Sequence, residues 1–182
     1  MLESSINGYV AEVSSGLINV RHDNVGIVVG KGKQVQLIES DNIYLYYIDN
    51  SNNLIRVSIN SNVLISDPIN IASNVDGFYA IDVSNVGMSY AYISQSTMHI
   101  NIAGNVFSMA WPPERLSDFS FDISNDLKTL TILYMKPGSP VQAYIEYYES
   151  SDAPPEPETS HFVPNIPSTI YYNYYKDKFE NY

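Results

Sequence analysis

The stretch FYAIDVSNVGMSYAYISQSTMHINI, residues 78–102, decides the fold because it recurs along the chain. Its Asp82 falls on Asp122, forty residues later, in FSFDISNDLKTLTILYMKPGSPVQAYI, residues 119–145. A looser copy, VQLIESDNIYLYYIDNSNNLIRVSI, precedes both at residues 35–59. Within each copy the apolar residues alternate with polar ones, which is the period of a β-strand, and Asn, Asp or Gly separates the runs.

The spacing of the copies indicates the architecture. Short strands and turns that repeat every 40 to 45 residues or so are typical of propeller blades. We therefore predict an all-β fold of propeller-like repeats of short antiparallel strands, with a two-sheet β-sandwich as the alternative. A propeller closed within one chain needs at least four blades. Three copies are clear, so either residues 1–34 supply a fourth blade or chains associate.

The repeated turns carry a resemblance to known proteins. The copies AIDVSNVGMSYAYI, SFDISNDLKTLTILY and LYYIDNSNNLIRVSI resemble blades of the Tol-type and WD-type β-propellers, over roughly residues 35–148. No Trp-Asp dipeptide is present. The resemblance implies that a polar turn joins the innermost strands of each blade, and the matching residues here are Asp82, Ser84, Asn85 and Gly87, and Asp122, Ser124, Asn125 and Asp126.

Several local patterns predict individual elements. IYLYYID and LIRVSI, joined by Asn50–Asn53, predict a β-hairpin. Residues 60–76, which contain VLISDPINIASNVD, predict a third short strand and a proline-containing loop in that copy. Phe107, Met109 and Trp111 alternate as a strand that two prolines end. Gly30 and Gly32 lack the third glycine and the helix of a phosphate-binding loop, so we interpret them as a hairpin turn.

A proline-rich acidic segment divides the chain. We expect an all-β repeat domain at residues 1–150, an extended linker at 151–168 and an aromatic arm at 169–182. Disordered tails are poor in aromatic residues, so this arm should contact either its own domain as a last strand or a neighbouring subunit. The candidate partner-binding residues are Tyr171, Tyr172, Tyr174, Tyr175, Phe179 and Tyr182.

Charge and composition exclude several functions. The chain has 20 acidic and 9 basic residues in 182 and a net charge of −11, without a basic stripe for nucleic acid. It has no cysteine and no apolar run long enough to span a membrane, and no signal peptide is seen. The composition carries a second resemblance. The chain is rich in Asn, Ile, Ser and Tyr and poor in Lys, and in this it resembles archaeal virion or surface proteins.

No catalytic, cofactor or metal site is predicted. The three histidines, His22, His99 and His161, lie far apart in sequence, and the acids fall at turns. Three arginines are too few for a sialidase-type glycosidase. Aromatic rings can stack on sugars, so a carbohydrate site is the alternative, with Trp111 as its candidate residue and with the strand residues Tyr44, Tyr46, Tyr90, Tyr92 and Tyr134 as further aromatic positions.

These observations favour a non-enzymatic protein. We expect a structural or attachment component of an extracellular assembly, with a viral particle as the leading setting. It would act through contacts with other protein subunits, as a homo-oligomer or in a larger assembly. The alternative is a lectin-like module for a cell-surface glycan. The expected location is the virion or an extracellular surface, and the cytoplasm is the alternative because no signal peptide is seen.

Overall fold

The computed structural model describes residues 2–60, 62–63, 65–83, 86–102, 104–124, 129–137, 142–149 and 161–162, the last two ranges by their backbone alone. The described residues form strands and turns without a helix. The strands are β1 (Glu3–Ile6), β2 (Tyr9–Ser14), β3 (Leu17–His22), β4 (Val25–Glu39), β5 (Ile43–Asp49), β6 (Leu54–Ile59), β7 (Ile69–Ala72), β8 (Val75–Val83), β9 (Gly87–Ser94), β10 (Thr97–Ile102), β11 (Asn105–Ala110), β12 (Phe119–Ile123), β13 (Thr129–Lys136), β14 (Gln142–Glu149) and β15 (His161–Phe162).

Consecutive strands pair antiparallel in three meandering sheets, β1 to β7, β8 to β11 and β12 to β15. Strand β4 is 15 residues long and serves two neighbours. Residues 25–31 pair with β3, and residues 32–39 pair with β5. The strands of the described residues thus form four blades of four strands each. Blade 1 is β1 to β3 with residues 25–31, blade 2 is residues 34–39 with β5 to β7, and blades 3 and 4 are the two remaining sheets.

Gly32 lies at the junction between the two parts of β4, where the register with β5 shifts. A Cβ atom built on Gly32 would lie 2.4 Å from the carbonyl oxygen of Ile48. Only glycine allows this approach without a backbone shift. The prediction of a hairpin turn at Gly30 and Gly32 is therefore wrong. Glycine marks either a turn or a close backbone contact, and here it marks the contact.

The innermost strands of neighbouring blades run side by side. The Gln34 amide nitrogen donates to the carbonyl of Phe78 at 3.2 Å, and Gln36 both donates to the Ala80 carbonyl at 2.8 Å and accepts from its N–H at 3.0 Å. Both partners advance by two residues, so residues 34–39 and β8 run in the same direction. The Ser4 hydroxyl likewise accepts from the N–H of Leu37 at 2.9 Å and ties β1 to blade 2.

Three apolar cores lie between the four blades, because each strand presents alternate residues to the blade on either side. The core between blades 1 and 2 includes Ala11, Ile18, Val35, Leu45 and Val57. The core between blades 2 and 3 includes Ile38, Tyr46, Leu54, Phe78 and Ala80. The core between blades 3 and 4 includes Ile93, Met98, Trp111, Phe121 and Ile132.

The all-β, propeller-like prediction is confirmed, and the additional blade lies within residues 1–34. The stacking of four blades distinguishes the fold from a two-sheet sandwich. The hairpin at Asn50–Asn53 is also confirmed, between β5 and β6. Its place in the blade is different from the proposed alignment: LYYIDNSNN is the second turn of blade 2, whereas Asp82 and Asp122 lie at the first turn of theirs. Ser84, Asn85, Asn125 and Asp126 lie outside the described residues.

Two further expectations concern the outer strands. The third strand predicted within residues 60–76 is β7, the outer strand of blade 2, and Ile65 before it forms an isolated bridge with Ile59. The predicted linker contains β15, whose backbone pairs with β14 as the fourth strand of blade 4. The other residues of the linker and the whole aromatic arm lie outside the described part of the chain.

The packing between blades is sequential. Inner strands contact each other from blade 1 to blade 2, from blade 2 to blade 3 and from blade 3 to blade 4. Among the described residues, no comparable packing joins blade 4 back to blade 1. The described strands therefore form an open arc of blades. Within the same ranges there is no helix that could cross a membrane.

Candidate functional site

Two surfaces of the arc stand out. The first is a cluster of rings and polar groups between blades 2 and 3, called here the interblade cluster. Its members are half-buried except for Tyr46, which is fully enclosed. The interblade cluster consists of Tyr44, Tyr46, Arg56, Tyr90, Tyr92, His99 and Asn101.

Blade 2 contributes one side of the interblade cluster. Tyr44 and Tyr46 alternate along β5, so both point towards blade 3, and Arg56 on β6 lies directly opposite Tyr46. The Arg56 guanidinium lies 5.5 Å from the centre of the Tyr44 ring, within the range of a cation–π contact. The Tyr44 hydroxyl donates to the Asp41 carboxylate at 2.9 Å, which fixes the ring at the start of the strand.

Blade 3 contributes the other side through β9 and β10. Tyr90 pairs with Asn101, and the Asn101 amide donates to the Tyr90 hydroxyl at 3.1 Å. Tyr92 pairs with His99, and the two rings stack with centroids 4.9 Å apart. His99 Nδ1 is 2.9 Å from the Ser108 hydroxyl on β11. Each tyrosine is thus held by a polar neighbour on the next strand.

The electrostatics of the interblade cluster follow from burial. The Tyr46 hydroxyl is enclosed without a hydrogen-bond partner among the described residues. Burial raises the pKa of Tyr46 to about 12, and the Arg56 guanidinium opposes the rise. Burial also raises the pKa of Tyr92, and the neighbouring Tyr90 adds to this. The Tyr92 hydroxyl is therefore protonated at ordinary pH and, on a half-buried residue, is placed to hydrogen-bond an uncharged ligand, whereas the enclosed Tyr46 hydroxyl is out of reach of one.

The structure separates the aromatic residues that the sequence grouped. Trp111 is 3% exposed and Tyr134 is 1% exposed, both in the core between blades 3 and 4. The Arg115 guanidinium covers both rings, at 5.1 Å from Trp111 and 4.3 Å from Tyr134. Enclosed in this way, Trp111 offers no ring face to a sugar, so it is not part of the interblade cluster. The six arm residues lie outside the described residues.

Sequence reasoning missed Arg56, His99 and Asn101 as members. A usable signal was present for two of them. Gln95 and Ser96 form a two-residue hairpin turn with positive φ angles of 52° and 60°. A two-residue turn fixes the register of its strands, and this register sets His99 opposite Tyr92 and Asn101 opposite Tyr90.

The second surface is the outward face of blade 1, called here the blade 1 face. Alternate residues of β2 and β3 pack on blade 2, and the residues between them point away. On the blade 1 face Val28 is 58% exposed and Leu17 is 36% exposed. In a closed propeller the preceding blade covers this position. The residues of the blade 1 face used below are Glu3, Ser5, Val10, Glu12, Leu17, Asn19, Arg21, Gly26, Val28 and Lys31.

No cluster of three or more metal-binding side chains occurs within the described ranges. Two of the acids at or near turns, Asp49 and Asp122, accept hydrogen bonds from the local backbone. Asp49 accepts hydrogen bonds from the N–H groups of Ser51 and Asn53 at 2.8 Å each and from the Asn53 amide at 3.0 Å. Asp122 accepts from the N–H of Ile123 at 2.9 Å. These contacts match the turn-capping role expected for the acids.

Comparison with known proteins identifies the architecture. No family model matches the sequence, and no curated protein matches it. The N-terminal domain of Nup159 is similar in structure, with a TM-score of 0.51 and 11% identity, over 82% of this chain and 44% of that one. A fungal lectin from Aleuria aurantia, a six-bladed β-propeller with a fucose recognition mode, is similar with a TM-score of 0.51 and 12% identity, over 86% and 57%.

The chain thus spans about half the length of the solved structures that it matches. At such low identity the likeness concerns the fold alone. Together with the four stacked meanders and their parallel inner strands, it shows that this chain is built of β-propeller-like blades.

Proposed function

We propose that the protein is a non-enzymatic structural or attachment component of an extracellular assembly, in the first place a viral particle, and that it acts through contacts with other protein subunits. The observation that carries the proposal is the open arc. Its described strands leave the blade 1 face without the covering blade that a propeller provides. Exposed apolar sheet surface of this kind marks protein interaction sites.

The outer edge of blade 3 supports the same reading. β11 is the edge strand of its sheet, and its sequence NVFSMA carries neither charge nor proline. Val106 is 63% exposed and Phe107 is 37% exposed on it. Edge strands of monomeric proteins are usually protected by charges, prolines or covering loops, because a free edge pairs with other chains. β11 therefore offers a second surface for subunit contact.

The proposal is tested by the native mass of the purified full chain, measured by light scattering at several concentrations. We expect mass above the 20.4 kDa of one chain. Val28→Lys should lower it, because a cation replaces an exposed apolar contact, and Asn70→Lys on the exposed surface of β7 should not. The contribution of the arm is tested separately, by the native mass of a variant with Tyr171→Ser, Tyr172→Ser, Tyr174→Ser and Tyr175→Ser. A single-chain mass at every concentration would contradict the proposal.

The interblade cluster supports a second candidate function, the binding of a glycan. It combines half-buried rings with an amide, a guanidinium and neutral hydroxyls, which are the groups that recognise uncharged sugars. We expect binding on a glycan array that falls at least tenfold or so in Tyr92→Ala and in Asn101→Ala, a loss of about 1.4 kcal/mol. Phe107→Ala, at an exposed ring outside the interblade cluster, is the control. An array without any bound glycan would exclude this candidate.

The non-enzymatic part of the proposal has its own test. The turn acids, such as Asp49 and Asp122, are engaged in hydrogen bonds with their own backbone. Tyr46 and Tyr92 have raised pKa values, which make poor general bases near neutral pH. We therefore expect no turnover of chromogenic glycosides. Hydrolysis by the wild-type chain would overturn this part of the proposal.

A further inference from the structure

We infer that the blade 1 face pairs with the same face of a second copy of this chain about a two-fold axis. This inference rests on the proposed assembly function and names the partner. The observations that carry it are the arrangement of charges on the blade 1 face and the fact that these charges find no partner within the described part of the molecule.

The charges on the blade 1 face are segregated by strand. Glu3 on β1 lies directly opposite Glu12 on β2. Arg21 lies on β3 and Lys31 on β4, two strands further along the sheet. None of these four residues forms an ion pair with another described residue. The blade 1 face therefore has an acidic half and a basic half.

The Glu3–Glu12 pair is unfavourable in an isolated chain. Like charges directly opposite each other on neighbouring strands destabilise a sheet. Glu3 is exposed and Glu12 is half-buried, so the second carboxylate is partly removed from the water that would screen it. A cation brought from outside would relieve the repulsion, and Arg21 and Lys31 of a second copy are such cations.

A two-fold axis supplies this match twice. If β1 and β2 of one copy lie over β3 and β4 of the other, the acidic half of each copy meets the basic half of its partner. In a two-fold interface every contact occurs twice, so both acidic pairs are neutralised. Each blade 1 face carries two acids and two bases and is neutral, although the whole chain has a net charge of −11. This neutral face is a place where two acidic chains can approach without strong repulsion.

The apolar residues of the blade 1 face would be covered by the same pairing. Val10 lies on β2, directly opposite Arg21 and two residues before Glu12, and Leu17 and Val28 lie on β3 and β4. Ser5 and Gly26, at the two ends of the row that contains Val10 and Arg21, add little bulk to the blade 1 face. Four strands of about six residues cover roughly 400 Å² in projection. Stable complexes bury about 800 Å² per partner, so we expect a weak pairing that dissociates on dilution.

The test is a charge swap in the full chain, followed by sedimentation velocity over a range of concentrations. One variant carries Glu3→Lys with Glu12→Lys, and the other carries Arg21→Glu with Lys31→Glu. Each variant alone should self-associate at least tenfold or so more weakly than wild type, because its faces now carry like charges. An equal mixture of the two variants should recover the association, because one face is basic and the other acidic.

Controls separate the blade 1 face from net charge and from folding. Asp67→Lys with Glu114→Lys changes the net charge by the same amount as Glu3→Lys with Glu12→Lys, but at exposed sites elsewhere, and should leave association unchanged. Thermal unfolding of each variant reports whether the fold is kept. Recovery in the mixture is the readout that a merely unfolded variant could not produce.

The outcomes are distinct. If the wild-type chain associates and both swaps leave that association intact, or if the mixture stays monomeric, pairing through the blade 1 face is overturned while the proposed assembly function stands. If the wild-type chain is monomeric at every concentration, the self-pairing and the proposed function are both overturned.

Discussion

Gln36 shows at the scale of one residue how neighbouring blades are locked together. It is 8% exposed, and its amide fills both hydrogen-bonding groups of Ala80 in the next blade. A buried amide that replaces a backbone pair in this way leaves two unsatisfied groups when it is removed. Such contacts cannot be read from the sequence, because a glutamine in a strand pattern is normally assigned to the solvent side.

Gln36→Ala should therefore destabilise the fold by about 2 kcal/mol or more, the cost of leaving buried backbone groups without partners. Gln34→Ala is the matched control, because Gln34 makes a single, part-buried bond to Phe78. It should cost about half as much or less. Denaturant unfolding measures both values. Equal losses of unfolding free energy in the two variants would contradict the paired hydrogen bonds between Gln36 and Ala80.

Tyr46 gives a prediction with a defined pH range. Folding raises its pKa from 10.0 to about 12. Because the pKa is higher in the folded state, the stabilisation of the folded state by protonated Tyr46 is fully present below pH 10 and is lost as the pH rises towards 12. The loss amounts to about 3 kcal/mol.

Tyr46→Phe should remove this alkaline loss and leave stability near neutral pH equal or higher, because the hydroxyl has no hydrogen-bond partner among the described residues. Unfolding curves of both proteins at pH 8, 10 and about 11.5 compare the two. A variant that loses stability with pH as steeply as wild type would disprove the burial of this hydroxyl.

Sequence patterns predicted the site residues only in part, for a physical reason. Tyr44, Tyr90 and Tyr92 belong to the interblade cluster, whereas Trp111 and Tyr134 are enclosed in a core. Strand alternation tells which residues share a face but not what covers that face. Both faces of a blade are packed by neighbours, so an aromatic residue that alternates correctly can be either core or surface.

At the scale of elements, the β5–β6 hairpin depends on the Asp49 carboxylate. Burial opposes its ionisation, but hydrogen bonds from Asn53 and Ser51 outweigh this and lower the pKa of Asp49 below its ordinary value of 3.8. The stabilisation is therefore present above pH 3.8 and is lost as the pH falls through the lower folded value. The turn should thus remain formed in mildly acidic solution.

Asp49→Ala should destabilise the hairpin by about 1 to 2 kcal/mol at pH 7, because the N–H groups of Ser51 and Asn53 lose their acceptor. The difference from wild type should shrink as the pH falls below 3.8 and the wild-type carboxyl becomes protonated. Asp67→Ala, at another exposed loop acid, is the control. Thermal unfolding at several pH values measures the difference in stability between Asp49→Ala and wild type. A difference that does not change with pH would contradict the role of the ionised Asp49 carboxylate as the acceptor of these hydrogen bonds.

The sequence also shows where element prediction stops. Strand positions were largely predictable, because alternating apolar residues and Asn or Gly turns mark them. The alignment matched LYYIDNSNN, at the second turn of its blade, with AIDVSNVGM, at the first turn of the next blade. The two turns look alike in sequence because Asn and Asp stabilise every hairpin of a blade in the same way. Gly30 and Gly32 were assigned to a turn for a related reason. The sequence does not distinguish a glycine that a turn requires from a glycine, such as Gly32, that allows close packing against Ile48.

At the scale of the whole molecule, the four blades form an arc whose described strands do not return to their start. Among the described strands, each blade packs on the blade that follows it in sequence, through their inner strands. What the repeat could not predict is which face remains uncovered. The blade 1 face, with exposed Val28 and its segregated charges, is the surface on which the proposed function depends.

The measurement that tests this account most directly is the protection of the blade 1 face from thiol labelling. The chain has no cysteine, so Asn19→Cys places a single thiol at the middle of the blade 1 face and Asn70→Cys places one on exposed β7 as a reference. We predict that labelling at position 19 slows, relative to position 70, as protein concentration rises. A ratio that is the same at every concentration would contradict the claim that the blade 1 face is where the subunits meet.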